Sequence, residues 1–494
     1  MATTKRKKAA AKAKPTTKKK VVSEGKTKIR IRTYRHGLGD CHLLSFTKPD
    51  GSPLHVLIDC GVVDVTPNPE ELMTGVAQNI AKETGGALDI VVATHQHTDH
   101  LSGFRQARAE FAPIKMKRLW FAWTEDKSNP LGQKIKRELV KKLAVARAAH
   151  QRLRAIGGDR AQAAAARIKG VLDFFGPAAA GDDTQAVLDE LHARPEASPD
   201  YFEPGTVFGL PGVPNVRVYV LGPPTKAADL KITDPRKSKK EGYEIALAAA
   251  ADGFAAVLGE GDPELGFPFD KRFRRVVADA KRDPFFQTNY FDPDPERKKN
   301  PNWRRIDTDW LEMAEQLALY LNDFTNNTSL ALAFEFIDTK QVLLFPGDAQ
   351  IGSWLTWHRI VWKVKDPDGS QREVTMRDLL ANTVFYKASH HASHNGTLSG
   401  LGENQTGLEH MVHRDLVCVV PVDREMSKKK HWDRTLPWQP LLNRLTEKTR
   451  GRLILTDMNE TPPDATKLVN LSATEQKRFA KQVAVGPKWV DYVL

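Results

Sequence analysis

Cysteine is scarce in this chain of 494 residues: Cys41, Cys60 and Cys418 lie far apart and no CxxC pair occurs. That usage fits a reducing cytosol and rules out a cysteine-built zinc site. Long apolar runs are missing too. Nothing approaches the roughly 20 residues needed to span a bilayer, and "EIALAAAADGFAAVLGE" (244–260) is broken by charge and reads as a soluble helix. The charged N-terminus is followed by no apolar segment, so no secretory signal is visible. A soluble, cytoplasmic protein with no membrane partner is the expectation. Acidic residues are nearly absent from the start of the chain. Residues 1–28 hold 11 Lys and Arg against one Glu, a net of +10 out of a formal +13. The stretch "KRKKAAAKAKPTTKKK" (5–20) has no apolar period, and residues 1–26 read as a disordered basic tail. Such a tail is either a solubilising or localising segment or an arm for phosphate groups.

The chain as a whole is 40% hydrophobic, and what remains, residues 27–494, is long enough for one large elaborated domain or two smaller ones. "TKIRIRTYRHGLGDCHLLSF" (27–46) alternates as strand, turn and strand, and "LHVLIDCG" (54–61) adds a strand. A helix over 70–84 leads to "LDIVVATH" (88–95), whose near-continuous apolar run predicts a buried strand. From Leu131 to Ile156, Leu131, Ile135, Leu139 and Leu143 recur every four positions, a helical stripe carrying eight basic residues and one acid. Ala-rich helix follows to about 195. "VRVYVLGPP" (216–224) returns to strand, and 225–305 reads as an inserted lid or loop excursion. A helix over 309–324 is followed by strands at 329–337, 340–348, 383–391 and 416–422, a helix at "PWQPLLNRLT" and a final core strand at "GRLILTD". Strands at both ends with helices between them predict a layered α/β architecture.

The chemistry concentrates in "THQHTDHLSGF" (94–104), directly after the apolar run. His95 and His97 sit two apart at a strand mouth, where the period of two points both imidazoles the same way. Asp99 and His100 follow where loop should become helix, able to face a second point a few ångströms away. Imidazole and carboxylate are the ligand set of zinc, or of iron and manganese as oxygen donors increase. Further ligands should also lie at strand ends. "LLFPGDAQ" places Asp348 there, where a carboxylate can bridge two cations. "FYKASHHASHNGT" offers His390 and His391, with His394 just beyond; on a strand, one of the adjacent pair must point away.

HxHxDH after an apolar strand, with a later Gly-Asp and a later strand-end histidine, resembles the metallo-β-lactamase fold superfamily. Within it the similarity is closest to the soluble hydrolase domain of ComEC-type competence proteins. "GLGDCHLL", "LIDCG", "NNTSLAL", "KASHHASHNGT", "PWQPLLNRL" and "LTDMNE" are similar to further segments of that family. The resemblance covers roughly 27–125, 204–224 and 309–494. It implies a four-layered αββα sandwich with a large, mostly helical insertion at about 128–305. It also implies two divalent metal ions, zinc first and manganese as the alternative. His95 and His97 would bind the first, Asp99 and His100 the second, Asp348 would bridge, and His391, preferred over His390, would complete the second. Asp40 and Asp59 would orient imidazoles. Two departures stand out: the family's third histidine for the first metal is replaced by "FTNNTS", where Asn326 or Asn327 offers a weaker carbonyl, and its His-Pro pair is replaced by Leu436-Pro437, with His431 nearby.

A metal-dependent hydrolase acting on phosphodiester bonds, nuclease-like and dinuclear, is the leading expectation. Asp99 would orient the nucleophile, and His394 or Lys387 would serve the leaving group or the phosphate. The basic helix and tail favour a nucleic acid or other polyanionic substrate, although no basic platform interleaved with aromatics is visible in the pattern. Hydrolysis of a small ester, lactone, thioester or amide is the second expectation, and a metal-stabilised module that binds DNA or a partner with little catalysis is the third.

Overall fold

A computed structural model of the chain describes residues 28–494 except 157–158, 177–183, 233–271, 273–274, 276, 292–308, 404, 431, 433 and 458–464. The basic tail, the apolar segment 244–260, most of 225–305 and His431 lie outside the described residues. The strands are β1 (Ile29–Tyr34), β2 (Cys41–Thr47), β3 (Pro53–Cys60), β4 (Ala87–Ala93), β5 (Lys115–Ala122), β6 (Ser198–Phe202), β7 (Val207–Gly209), β8 (Val216–Val220), β9 (Leu332–Phe336), β10 (Val342–Phe345), β11 (Val361–Lys365), β12 (Gln371–Thr375), β13 (Thr383–Lys387), β14 (Val417–Val420), β15 (Leu453–Leu455), β16 (Val483–Val485) and β17 (Trp489–Val493).

β4 is apolar on both faces because it lies inside a sheet, hydrogen-bonded in parallel to β3 and β5. The first sheet runs β16-β17-β1-β2-β3-β4-β5-β6 and the second β15-β14-β13-β10-β9-β8-β7, with β11-β12 as a separate hairpin. Ile90 and Val92 of β4 point into a core shared with Phe334, Leu343 and Phe345 of the second sheet, so the two sheets pack face to face. Val91 and Ala93 point outward, onto Met73, Val76, Leu101 and Leu188 of helices Pro69–Thr84, Thr98–Gln106 and Thr184–His192. On the far side, Leu344 and Tyr386 meet Trp354, Leu380 and Leu442 of helices Ile351–Trp357, Met376–Ala381 and Gln439–Lys448. Helix, sheet, sheet and helix therefore form successive layers. Each branched side chain buried between them stabilises the fold by about 1.5–3 kcal/mol relative to exposure. Among the described residues, no helix is long and apolar enough to cross a membrane.

Two differences from the pattern reading have physical reasons. The stretch 128–305 is not one excursion, because β6 extends the first sheet and β7 and β8 the second. β6 and β7 are short edge strands of sequence SPDYF and VFG, with too little alternation to be read. "GRLILTD" is not the last strand, since β17 pairs with β1. β17 hides behind Asp491, a buried carboxylate neutralised by Arg32 at 2.7 and 2.8 Å. The basic helix Pro130–Ile156 packs Leu139, Leu143, Ala146, Ala149 and Leu153 against helices Asp159–Leu172 and Asp309–Asn326 in a core of their own, while Leu131 and Ile135 join Trp123, Leu230 and Phe324.

The end of this sandwich that carries the histidines is stitched by backbone. The Asp40 N–H donates to Asp99 O at 2.8 Å and the Gly61 N–H to Asp40 O at 3.0 Å. Only glycine fits the crossing. A Cβ on Gly39 would lie 2.1 Å from Gly61 O, and one on Gly61 would lie 2.3 Å from Thr98 O and 2.5 Å from His100 N. Gly61→Ala is expected to destabilise the protein by roughly 3 kcal/mol, at the upper end of overpacking costs, and to lower its metal content. Urea denaturation and metal analysis of the purified variant check both.

Candidate metal centre

His95 and His97 extend from the end of β4, and helix Thr98–Gln106 begins immediately, turning Asp99 and His100 back toward the same point. His95 Nε2 lies 3.1 Å from His97 Nδ1. Two nitrogens bound to one tetrahedral ion at about 2.0–2.1 Å would sit roughly 3.3 Å apart, so this pair already has ligand spacing. Asp99, His100, Asp348 and His391 form a second group, each offering a donor atom, all within 4.8 Å of one another. In it, His391 Nε2 is 2.8 Å from Asp99 Oδ2 and 3.2 Å from Asp348 Oδ2, and His100 Nε2 is 3.2 Å from Asp348 Oδ2. All six side chains are at most 2% exposed.

His95, His100 and His391 are each held by the other ring nitrogen, whereas His97 Nε2 is buried without a hydrogen-bond partner. His100 Nδ1–H donates to Asp59 Oδ2 at 2.7 Å, and Asp59 also accepts from the Thr94 N–H and hydroxyl. His391 Nδ1–H donates to Pro421 O at 2.8 Å. His95 Nδ1 sits 3.1 Å from Thr94 Oγ1 and 3.2 Å from Ser329 Oγ. Orientation of this kind fixes the tautomer and aims the free lone pair inward. Lys387 spends its ammonium on Asp40 Oδ2 at 2.5 Å, Asp348 Oδ1 at 2.9 Å and Gly347 O at 2.9 Å. It therefore positions Asp348, with Oδ1 clamped and Oδ2 turned to the histidines, and its buried head does not reach the surface where a substrate phosphate would arrive.

His390 and His391 do not sit on β13, which ends at Lys387. With Ala392 they form a left-handed turn, φ 48°, 50° and 60°, so strand alternation does not separate them and both rings are buried. His390 contacts Asn326 Nδ2 at 3.2 Å and Asn395 Oδ1 at 3.1 Å rather than the carboxylates. Asn327 turns its amide away: it donates to Leu230 O and Ile232 O and accepts from the Gln350 N–H, which locks that turn. Asn326 Oδ1 is buried with no hydrogen-bond partner. His394 is exposed at the rim, its N–H donating to Thr435 O at 3.0 Å. The pattern reading missed Thr94 and Ser329, though both adjoin segments it singled out, and it missed Phe174 and Phe175. Their rings lie 5.9 and 4.9 Å from the His97 ring, a tertiary contact with no local signal.

Electrostatics divide the imidazoles in two. Burial, reinforced by His100, pulls His95 well below its usual value, and burial brings His97 to about 4 against the opposing pull of Asp99. Both shifts favour the neutral imidazole, the form that ligates a metal. Burial also opposes the charged forms of His100 and His391, but Asp348 and its neighbouring carboxylates outweigh it, raising His100 well above the usual range and His391 to about 10. Asp348, which burial alone would raise, is held well below the carboxylate range by His391, Lys387 and His100. For the chain by itself, both shifts favour a proton on His100 and on His391, the charge that a cation would supply instead. The residues fit a metal: His100 Nε2 and Asp99 Oδ1 are buried without hydrogen-bond partners, and N₂O₂ donor sets suit zinc and manganese. The chain matches no protein-family model, and no curated protein matches it in sequence.

The raised His391 gives a sign for stability. Its contribution is complete below the ordinary value of 6.5 and disappears as pH rises through about 10. Chelator-treated protein should therefore lose thermal stability between pH 7 and 10, while metal-loaded protein, whose imidazoles must be neutral in any case, should not. Parallel thermal scans across that range check this; identical slopes would contradict it. Titration of chelator-treated protein should show unequal sites, the four-donor group filling before the His95–His97 pair. Calorimetry is the measurement, and two equally tight sites would contradict the order.

Proposed function

We propose that the protein is a metallo-hydrolase of the metallo-β-lactamase type, cleaving phosphodiester bonds with two divalent cations. The observation that carries this reading is the convergence of Asp99, His100, Asp348 and His391 from three distant segments into one buried donor group beside the His95–His97 pair. Helix-sheet-sheet-helix layering, with the donors at strand ends of two facing sheets, is the architecture that the resemblance implies. Bound cations supply Lewis-acid activation of water and stabilise charge on a phosphoryl group. The chain's own residues do the rest. Asp99 points Oδ2 at His391 and keeps Oδ1 unpartnered for the reacting side. Lys387 and Asp40 hold Asp348 in place. His394, exposed next to the donor turn in sequence, would serve a leaving oxygen. Zinc is the first choice of metal, with manganese favoured for the pair that lacks a third imidazole, since oxygen donors would complete it.

A second reading, hydrolysis of a small ester, lactone or thioester, is favoured by Phe174 and Phe175, which present an apolar wall to His97. Bis-p-nitrophenyl phosphate and p-nitrophenyl acetate, assayed with Mn²⁺ or Zn²⁺, separate the two. Turnover of the phosphodiester is expected, and Asp348→Asn should reduce kcat by at least about a hundredfold and lower metal content, since it removes a charge shared by the donor group. Full metal occupancy and full turnover in that variant would defeat the assignment.

A further inference from the structure

Two of the chain's three cysteines, Cys41 and Cys60, face each other across β2 and β3, in register and fully buried. Nothing in the proposed reaction uses them. The Gly61 N–H donates to Asp40 O at 3.0 Å, so the hydrogen bond at this rung joins the flanking residues and leaves the cysteines a pair without mutual backbone bonds. Such a pair lies about 4.5 Å apart at Cα, within the roughly 4.4–6.8 Å that a disulfide spans. Both side chains enter the core under helices Pro69–Thr84 and Thr98–Gln106, with their thiols close enough to hydrogen-bond. Their neighbours along the chain are Asp40, which anchors Lys387, and Asp59, which holds His100. The register slips by one residue at this point, leaving Asp59 as the extra residue at φ 56°. Helix Thr98–Gln106 rests on the same spot: a Cβ on Gly103 would lie 2.7 Å from Cys60 O and 2.9 Å from Cys60 Sγ. Cys418, on β14, has Tyr386 and Leu453 beside it instead.

We infer that Cys41 and Cys60 are a modification site, a dithiol that a hydroperoxide closes to a disulfide, and that closure loosens the centre's hold on metal. One thiolate attacks the peroxide and becomes a sulfenic acid, the departing hydroxide leaving as water. The second sulfur then attacks the first, forming the S–S bond and releasing another water. Two thiols are oxidised and one peroxide is reduced. Burial pushes the Cys41 thiol well above its usual value, so the reaction is slow, waits on local opening and favours an oxidant as small as peroxide. A disulfide draws its Cβ atoms to about 3.8 Å, against about 4.5–5.5 Å for opposed residues of a sheet. That contraction falls on the rung between Asp40 and Asp59 and beneath Gly103, so it disturbs His100 both through its carboxylate partner and through its helix. The effect on cations rests on the metal-centre reading; formation of the bond does not.

Chelator-treated full chain is incubated with hydrogen peroxide and quenched with catalase. One portion is unfolded and alkylated with N-ethylmaleimide; another is titrated with Zn²⁺ against a chelating dye. The untreated chain should take three maleimides and the oxidised chain one, on Cys418. Cleavage before Asp50, which lies between the two cysteines, should leave the flanking peptides joined until reductant is added. Oxidation should weaken Zn²⁺ binding about tenfold, the low end of the loss seen when the partner of a metal ligand is disturbed, and reductant should restore it. Cys41→Ala should form no joined peptide and bind Zn²⁺ equally with and without peroxide, while Cys418→Ala should respond as the parent chain does. Cys60→Ala repeats the test should Cys41→Ala not fold. Three maleimides taken after peroxide, or a joined peptide with unchanged Zn²⁺ affinity, would overturn the inference. A chain that forms the joined peptide yet takes up no cation in either state would defeat the metal-centre reading, and the coupling with it, and leave the bond standing.

Discussion

Four buried carboxylates in one small volume are the constraint around which this protein is organised. Asp40, Asp59, Asp99 and Asp348 are each at most 1% exposed, and uncompensated burial of even one ion costs several kcal/mol. Lys387 neutralises Asp40 and Asp348 together, Thr94 and His100 satisfy Asp59, and His391 meets Asp99 and Asp348. What remains is an excess of negative charge facing inward, and that excess holds protons on His100 and His391 when nothing else supplies positive charge. A divalent cation fits the same arithmetic with fewer compromises, since it binds the carboxylates and frees both imidazoles to act as lone-pair donors.

Topology explains why such distant residues can meet. β4, β10 and β13 each end on the same side of the sandwich, so His95, Asp348 and His391 emerge at one rim although some 250 residues separate the first two. The glycine crossings at Gly39 and Gly61 let the Asp40, Asp59 and Asp99 loops approach at backbone distance. The inserted helices then close the rim from the side, because helix Asp159–Leu172 runs directly into Phe174 and Phe175.

Much of this was legible in the amino-acid order where the signal is local. His95, His97, Asp99 and His100 are contiguous, and Asp348 follows an apolar strand, so both pattern and chemistry mark them. The long strands and the helices at 70–84, 131–156 and 309–324 follow from apolar period. Illegible features depend on contacts or on backbone sign. Nothing in the letters H-H-A announces a left-handed turn, so strand alternation gave the wrong geometry for His390 and His391. Asn326 and Asn327 look equivalent in sequence, yet tertiary hydrogen bonds commit one of them elsewhere. Phe174 meets Trp432 across some 250 residues, and only the folded chain shows that they adjoin.

The left-handed turn at His390, His391 and Ala392 has a consequence for the centre as a whole. A non-glycine residue in that conformation costs about 1–2 kcal/mol, and three stand in succession. Surrounding contacts hold the turn, with Ser389 bonded to Ala349 O and Trp438 to Ala392 O. The turn has this shape in the chain with no cation bound, so folding carries the cost and the donor that completes the four-residue group stands ready-made. A cation arriving there would find His391 already aimed and would have no backbone to reshape.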